Sequence, residues 1–430
     1  MILRDPVHGL VAFESEEERV VELLIDTPEV QRLRHIRQLG VASYAFPGAE
    51  HTRFAHAVGA AFVMKLLVGR LRAIEGDLPF WQQLTSNHAR DALAAALLHD
   101  LGHGPLSHLF EDAIRGTSSH EAWTVRILLD PSTGVNRVLS TLDPGMPGRV
   151  ASLVQGEHPL AYLAKAVSGT FDVDRCDYLL RDAHATGVRY GVYDLDWLLR
   201  SLRFAPVGGA ASPYLAIDGA KGLPAIEAFI LARLFMFQQV YLHKATRAAE
   251  WMIRAVLARA SALLADGHRL PGTPRAIEMA ARGEDPSLED YLALDDDVLA
   301  VAMRAWEKAA DAPLADLCRR VRVRALFKTL ELFGEQAMLP GRERALAVAQ
   351  EIAVARGLDP DVYAGLDVAS DTPFGAEADP LMVVYAKGPP RPLSDVSFVL
   401  GRLAGQVLSR VRLVFARELR EEITLAIASG

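Results

Sequence analysis

His99-Asp100-Leu101-Gly102-His103-Gly104-Pro105-Leu106-Ser107-His108 closes an apolar run, Asp91-Ala-Leu-Ala-Ala-Ala-Leu-Leu98. The run has the composition of a buried helix capped near Ser86 or Asn87. A histidine and an aspartate at the end of such a helix are costly unless something binds them, because a buried carboxylate must be paired or hold a metal. A metal ion is the simplest partner. Successive helical residues diverge by about 100°, so His99 and Asp100 can flank one ion without enclosing it, and further ligands must come from elsewhere. Seven of the thirteen histidines lie between His51 and His120, where random scatter would place about two. That clustering is a compositional sign of a site.

At 430 residues the chain exceeds the usual single-core size, so one large domain with a smaller lobe is expected. Half of the residues are hydrophobic, yet no run approaches 18 consecutive apolar residues, which argues against a membrane span. The start, Met1-Ile-Leu-Arg-Asp-Pro6, lacks the basic and apolar regions of a signal peptide, so a cytoplasmic location is expected. Cys176 and Cys318 follow no metal or redox spacing. A formal charge of −8 argues against a nucleic-acid coat, and leaves room for a local basic pocket around a phosphate-rich small molecule.

Taken in order, residues 2–13 read as two short strands around a Pro/Gly turn. A helix is expected from Ser15, and another from Asp26-Thr27-Pro28 to Gly40, with Gln31, Arg34 and Gln38 on one polar face. A loop then leads into an apolar helix ending near Arg72. Past the histidine-rich motif, helices are expected over 105–114 and 120–129, with two shorter helical segments up to Ser168. In Gly169 to Asp182, Asp174, Tyr178 and Arg181 or Asp182 share a helical face. A hairpin over 203–218 and one long helix over 223–264 follow, and then a polar, broken stretch to Asp311. Strands at 363–368, 381–386 and 411–415, between helices near 341–356 and 396–408, give the last hundred residues an α+β character.

Several stretches carry a family likeness: Asp5-Pro-Val-His-Gly9, Gln31 to Gly40, Phe46-Pro-Gly, Arg53-Phe-Ala-His-Ala-Val-Gly59, His99 to Phe110, Asp172-Val-Asp-Arg-Cys-Asp-Tyr178, Tyr241-Leu-His-Lys244 and Leu326-Phe-Lys328. In this order they resemble the HD-domain deoxynucleoside triphosphate triphosphohydrolases, the family of the mammalian dNTPase with an added sterile-alpha-motif domain and its bacterial relatives. The chain begins at the family's catalytic part, so no sterile-alpha-motif region is expected. The resemblance implies a mostly α-helical HD phosphohydrolase region over 1–330 and a small C-terminal α+β lobe over 331–430.

For the site, the resemblance implies that His56, His99, Asp100 and Asp174 bind one divalent ion. Their mixed imidazole and carboxylate shell suits iron, manganese, zinc or magnesium, and additional magnesium would travel on the substrate triphosphate. It places His103, His108, Glu111 and His120 beside the α-phosphate, with His108 or His120 moving the proton; the family usually has an aspartate where Glu111 stands. Arg53, Arg175, Arg233 and Lys244 would meet the phosphates, Arg175 standing where the mammalian enzyme has a lysine. Gln38, Leu39, Tyr178, Asp182 and Tyr241 would line the deoxyribose. Asp26, Gln31 and Arg34 match a guanine-reading effector site, while a second effector site looks depleted at Gly219 and Ala225. The implied activity is metal-dependent hydrolysis of dNTPs to deoxynucleoside and triphosphate in a homo-oligomer, with neither membrane nor nucleic-acid substrate. The alternatives are another HD phosphohydrolase, a 5′-nucleotidase or an NTP pyrophosphohydrolase, and a nucleotide sensor that does not turn over.

Overall fold

A computed structural model describes the chain except residues 114–117, 206–212, 373, 376–380 and 430 and the side chains of Asp77, His108, Asp112, Ala113 and Ser429. β1 (Ile2–Asp5) and β2 (Gly9–Ala12) pair as the expected hairpin. Its turn is fixed by Asp5, whose carboxylate accepts the backbone N–H groups of Val7 at 2.9 Å and His8 at 2.8 Å. α1 (Arg19–Ile25) follows a turn after Ser15, and α2 (Pro28–Arg32) has Pro28 in its first turn, where its missing N–H does no harm. α2 does not continue to Gly40. It tightens at residues 33–35, and Ile36 is extended because Arg37 pairs with Thr52 in a β-bridge. Gln38 therefore leaves the face that carries Gln31 and Arg34.

α3 (Arg53–Ile74) and α4 (Ser86–Leu98) form the centre. The cap of α4 is Thr85, one residue before the expected Ser86, its hydroxyl accepting the His88 N–H at 3.2 Å. α5 (His108–Ala113) begins later than position 105, since Leu106 and Ser107 take left-handed φ of 56° and 59° and no helix passes through them. α6 (His120–Leu129) matches its expected span, and α7 (Gly134–Leu142), α8 (Met146–Val154) and α9 (Ala161–Val167) fill the stretch where two segments were expected. α10 (Val173–Thr186) is capped by Asp172, and α11 (Leu195–Arg200) leads into β3 (Leu202–Phe204), antiparallel to β4 (Leu215–Asp218).

The long helix expected over 223–264 is two: α12 (Leu223–Met236) and α13 (Lys244–Ala265), separated by a π-helical turn at Phe237–Tyr241 and an extended His243. By length and composition Leu223–Tyr241 could cross a membrane, at a mean hydropathy of 1.3. It carries Glu227 and Arg233, while Ile226, Phe229, Ile230 and Met236 are buried in the core. α14 (Arg275–Ala281), α15 (Leu288–Leu292), α16 (Asp296–Trp306) and α17 (Ala312–Arg322) complete the helical body.

The C-terminal part contains β5 (Lys328–Leu332), α18 (Leu339–Ala355), α19 (Pro360–Tyr363), β6 (Ala364–Asp371), β7 (Met382–Val384), β8 (Arg391–Pro392), α20 (Leu393–Val396), α21 (Leu400–Leu403), β9 (Leu408–Phe415) and α22 (Arg420–Ser429). The helix expected near 396–408 is only the single turns α20 and α21, because Leu408 already pairs in β9. One sheet has the order β5-β9-β6, and the other the order β3-β4-β7-β8. The second sheet joins the helical body to the C-terminal part, β4 running parallel to β7. A contiguous hydrophobic core extends through both parts.

Candidate metal and phosphate site

Three elements bring the ligand atoms together. His56 lies in the first turn of α3, His99 at the end of α4 and Asp174 in the first turn of α10. His56 Nε2 is 3.0 Å from Asp174 Oδ1 and 3.3 Å from His99 Nε2, and His99 Nε2 is 3.5 Å from the same Asp174 oxygen. The opposite edges of both rings are committed. His99 Nδ1 lies 2.9 Å from the Ala96 carbonyl oxygen, which can only accept, so this nitrogen carries the proton and Nε2 presents a lone pair. His56 Nδ1 lies 2.8 Å from Asp177 Oδ2. With that proton on Nδ1, two imidazole lone pairs and one carboxylate oxygen converge on a single point. Such a point calls for a cation, and outer partners that fix the imidazole orientation are the usual support of a metal ligand.

Electrostatics agree. Burial works against charge on His56, but Asp174 and Asp177 outweigh it and lift the imidazole to about 10. Without a metal, the carboxylates recruit a proton in its place. The residues therefore fit a divalent ion held by His56, His99 and Asp174. Asp100 stands beside them, 3.5 Å from His99 Nε2 and 3.7 Å from His56 Nε2. Its carboxylate also accepts from the Arg53 guanidinium and lies 3.2 Å from His103 Nε2. Burial would raise Asp100, but Arg53, His99 and His103 hold it well below the usual carboxylate range.

A second cluster adjoins the first. His103 and His120 stack with centroids 4.0 Å apart and planes 15° from parallel, and His120 Nδ1 is 3.1 Å from Glu111 Oε1. Donor atoms of His103, Glu111 and His120 fall within 4.8 Å of one another. Each imidazole lone pair lies in its own ring plane, so two stacked, near-parallel rings cannot both direct one at a single ion about 2 Å away. The cluster is better suited to hydrogen bonds and proton transfer at an oxygen. Burial, then the charge of Arg53, keeps His103 well below its ordinary value and so neutral, against the pull of Asp100. The side chain of His108 lies outside the described residues.

The remaining expected residues divide. Gln38, Leu39, Arg53 and Tyr241 line a cavity of about 470 Å³ that also reaches Leu106 and Ser107 of the histidine-rich loop. Asp182, buried, takes the Tyr241 hydroxyl at 2.7 Å and lies 2.8 Å from His51 Nε2. The Tyr178 ring sits 6.5 Å from both His56 and Tyr241, near the charges of Arg175 and Arg233. Arg175 is bound back to Asp172 and the Gly169 carbonyl, Arg233 reaches Asp371 at 3.4 Å, and Lys244 is exposed at the start of α13. Asp26 is exposed beyond α1, and Gln31 gives its amide N–H to the Ile25 carbonyl at 2.7 Å. Arg34 donates to Gln31 at 2.8 Å and covers the Phe54 ring at 3.5 Å.

Residues with no assigned role in the sequence reading turn out to hold the site. Asp177 collects His8 at 2.6 Å, His56 at 2.8 Å and Arg181 at 2.8 Å, and Arg181 reaches on to Asp5 at 2.8 Å. Gly59 leaves room for this hub, since a methyl group there would overlap the Asp177 carboxylate. Buried Arg32 donates to the His103 carbonyl at 2.9 Å and to the Leu294 carbonyl at 2.6 Å. Tyr291 donates to the Gly102 carbonyl at 2.6 Å. No strong local signal marks them, because Arg32, Asp177 and Arg181 lie in helices that carry other charged residues, and only their burial shows that they need partners.

Comparisons with known proteins point the same way. The HD domain family model matches residues 53–161. The uncharacterized protein YwfO of Bacillus subtilis is 34% identical over 425 residues, which is 97% of this chain and 92% of that protein. The deoxynucleoside triphosphate triphosphohydrolase SAMHD1 homolog of Dictyostelium discoideum is 29% identical over 298 residues, 65% of this chain and 53% of that protein. The chain thus spans about half the length of that relative. The crystal structure of a phosphohydrolase from Bacteroides thetaiotaomicron superposes with a TM-score of 0.81 at 28% identity, covering 97% of this chain and all of that one. With its imidazole and carboxylate centre and its likeness over nearly the whole length to YwfO, the chain belongs with that protein to a family of HD-domain proteins and has the fold of an HD phosphohydrolase, and it is similar at lower identity to the SAMHD1 triphosphohydrolases.

Proposed function

We propose that the protein hydrolyses deoxynucleoside triphosphates, water attacking the α-phosphorus so that triphosphate and a deoxynucleoside are released. The observation that carries this reading is Arg53. It binds Asp100 at the metal-ligand cluster and also lines the 470 Å³ cavity, so a phosphate at the first can continue into a nucleoside in the second. An ion held by His56, His99 and Asp174 would polarise a phosphate oxygen and lower the pKa of a bound water. In this reading His120, whose Nδ1 lies 3.1 Å from Glu111, protonates the departing 5′ oxygen. Neutral His103 brings no charge, and its single N–H faces the Asp100 carboxylate, 3.2 Å from Nε2, which steadies Asp100 beside the metal ligands. In this reading Asp182, which accepts from Tyr241 and lies 2.8 Å from His51 Nε2, uses a remaining lone pair for a sugar hydroxyl, and Tyr178 and Tyr241, with rings 6.5 Å apart, crowd C2′.

The test is product identity. Metal-loaded protein is incubated with each dNTP and each NTP and the phosphorus product is read by ³¹P NMR; triphosphate from dNTPs is expected. Pyrophosphate would replace this reading with a pyrophosphohydrolase and orthophosphate with a nucleotidase. Tight binding without any product would indicate a sensor.

The same reading makes the protein a cytoplasmic homo-oligomer with a guanine-nucleotide effector at Asp26, Gln31 and Arg34. An effector there has to take over the Gln31 amide, now shared between Ile25 and Arg34. Turnover and light scattering with and without GTP check this. Indifference of both to GTP returns the three residues to structural roles.

A further inference from the structure

The cavity beside the metal centre continues beyond its sugar-facing residues to a far wall. That wall combines the start of α13 (Thr246, Arg247, Glu250) with residues 368–370 of β6 in the C-terminal part. Its apolar surfaces include Leu39, Phe237 and Leu242. Two polar atoms within it are buried and have no hydrogen-bond partner, Gln38 Oε1 and Thr246 Oγ1. Thr246 is 3% exposed. A helical threonine usually returns its hydroxyl to a carbonyl in the preceding turn, and Thr246 does not. β6 is an edge strand of its sheet, in the order β5-β9-β6, so the cavity meets the sheet at its border. A pocket whose apolar faces lie between polar borders, Arg53 and Gln38 on one side and Thr246, Arg247, Glu250 and Arg254 on the other, suits a flat heteroaromatic ring with a hydrogen-bonding edge.

We propose that this cavity reads the nucleobase, with Thr246 as a specificity-determining residue beside Gln38 and with the C-terminal part, through residues 368–370, closing the base pocket. The inference rests on the dNTP hydrolase reading. Gln38 then serves the junction of sugar and base, and Thr246 meets the ring edge. A hydroxyl both donates and accepts, and which face of it the substrate uses is set by the base that best satisfies its neighbours.

The experiment compares kcat and KM for the four dNTPs between the metal-loaded wild type, Thr246→Val and Thr246→Ser. Valine keeps the shape and removes the hydroxyl. The expected result is a change of about tenfold in the kcat/KM ratio between best and worst base, carried mainly by KM, with serine restoring the wild-type ratio and metal content unchanged. Thr246→Ala serves the same purpose if the valine variant does not fold. An unchanged ranking and ratio in a wild type that hydrolyses dNTPs overturns this inference alone. Failure of the wild type to hydrolyse any dNTP overturns the underlying reading together with it.

Discussion

At His56 the chemistry reduces to one question, which cation satisfies the converging lone pairs. In the metal-free protein it is a proton, because the carboxylates of Asp174 and Asp177 lift the imidazole from 6.5 to about 10. A raised histidine contributes stability that is complete below its unfolded value and is lost as pH rises through the folded one. Metal-free protein should therefore lose melting temperature between about pH 6.5 and 10. Metal-loaded protein should do the reverse at the acid end, since the ion requires an unprotonated Nε2 and is displaced as pH falls. Calorimetric melting of both forms across this range checks the claim, and parallel curves would sink it. His120 allows a separate prediction. His120→Ala should retain full metal content yet lose about 10²–10⁴ in kcat, as for removal of a general acid. Undiminished turnover would take proton transfer away from His120.

Among the elements, the histidine-rich loop is positioned from outside itself, by a segment that sequence reading treated as a broken polar stretch. Tyr291 holds the Gly102 carbonyl, and Asp296, at the start of α16, accepts the N–H of Leu106 at 2.7 Å and of Arg37 at 2.9 Å. Leu106 and Ser107 have left-handed backbones without being glycine, a conformation that persists only when its surroundings enforce it. Asp296→Asn turns one acceptor into a donor facing an N–H. It should lower kcat by up to about 10²-fold through misplacement of the loop, with little change in metal content. Loss of metal in step with activity would instead make Asp296 a general fold residue. Gly102 sets the other side, because a methyl group there would overlap the His120 carbonyl and the Thr124 N–H of α6. Gly102→Ala should cost about 1–3 kcal/mol of stability and displace His120, a pairing that denaturant melts and turnover together would reveal. Of the metal-site residues, His99 and Asp100 could be anticipated because they end an apolar run inside a histidine cluster, whereas His56 and Asp174 were implied only by the family resemblance. The Asp296 clamp could not, since it joins residues 190 positions apart and no local pattern marks such a bond. The break between α12 and α13 was hidden for a related reason: apolar residues keep helical spacing through the π-turn, and only the geometry of His243 shows the interruption.

Over the whole molecule, the position near 330 that separates helical from α+β character in the sequence is not a seam in the packing. β4 of the helical body runs parallel to β7 of the C-terminal part, with Ile217 opposite Val383. Sequence could place both strands but not pair them, because their register is set by tertiary packing across more than 160 positions. Trp251 of α13 packs so closely on β6 that a side chain at Gly365 would overlap its ring, and Phe327 lies against both Trp251 and Tyr363. Cutting here exposes two sheet edges and a large apolar surface together. A chain ending at residue 327 should therefore fail to melt cooperatively and should aggregate through the exposed edge of β4. The full chain, whose hydrophobic core runs through both parts, should unfold in one transition. Differential scanning calorimetry of both, with metal present, decides the matter. A truncated chain that melts sharply and retains its ion would show that the helical body stands alone and that the C-terminal part is an accessory placed over the cavity.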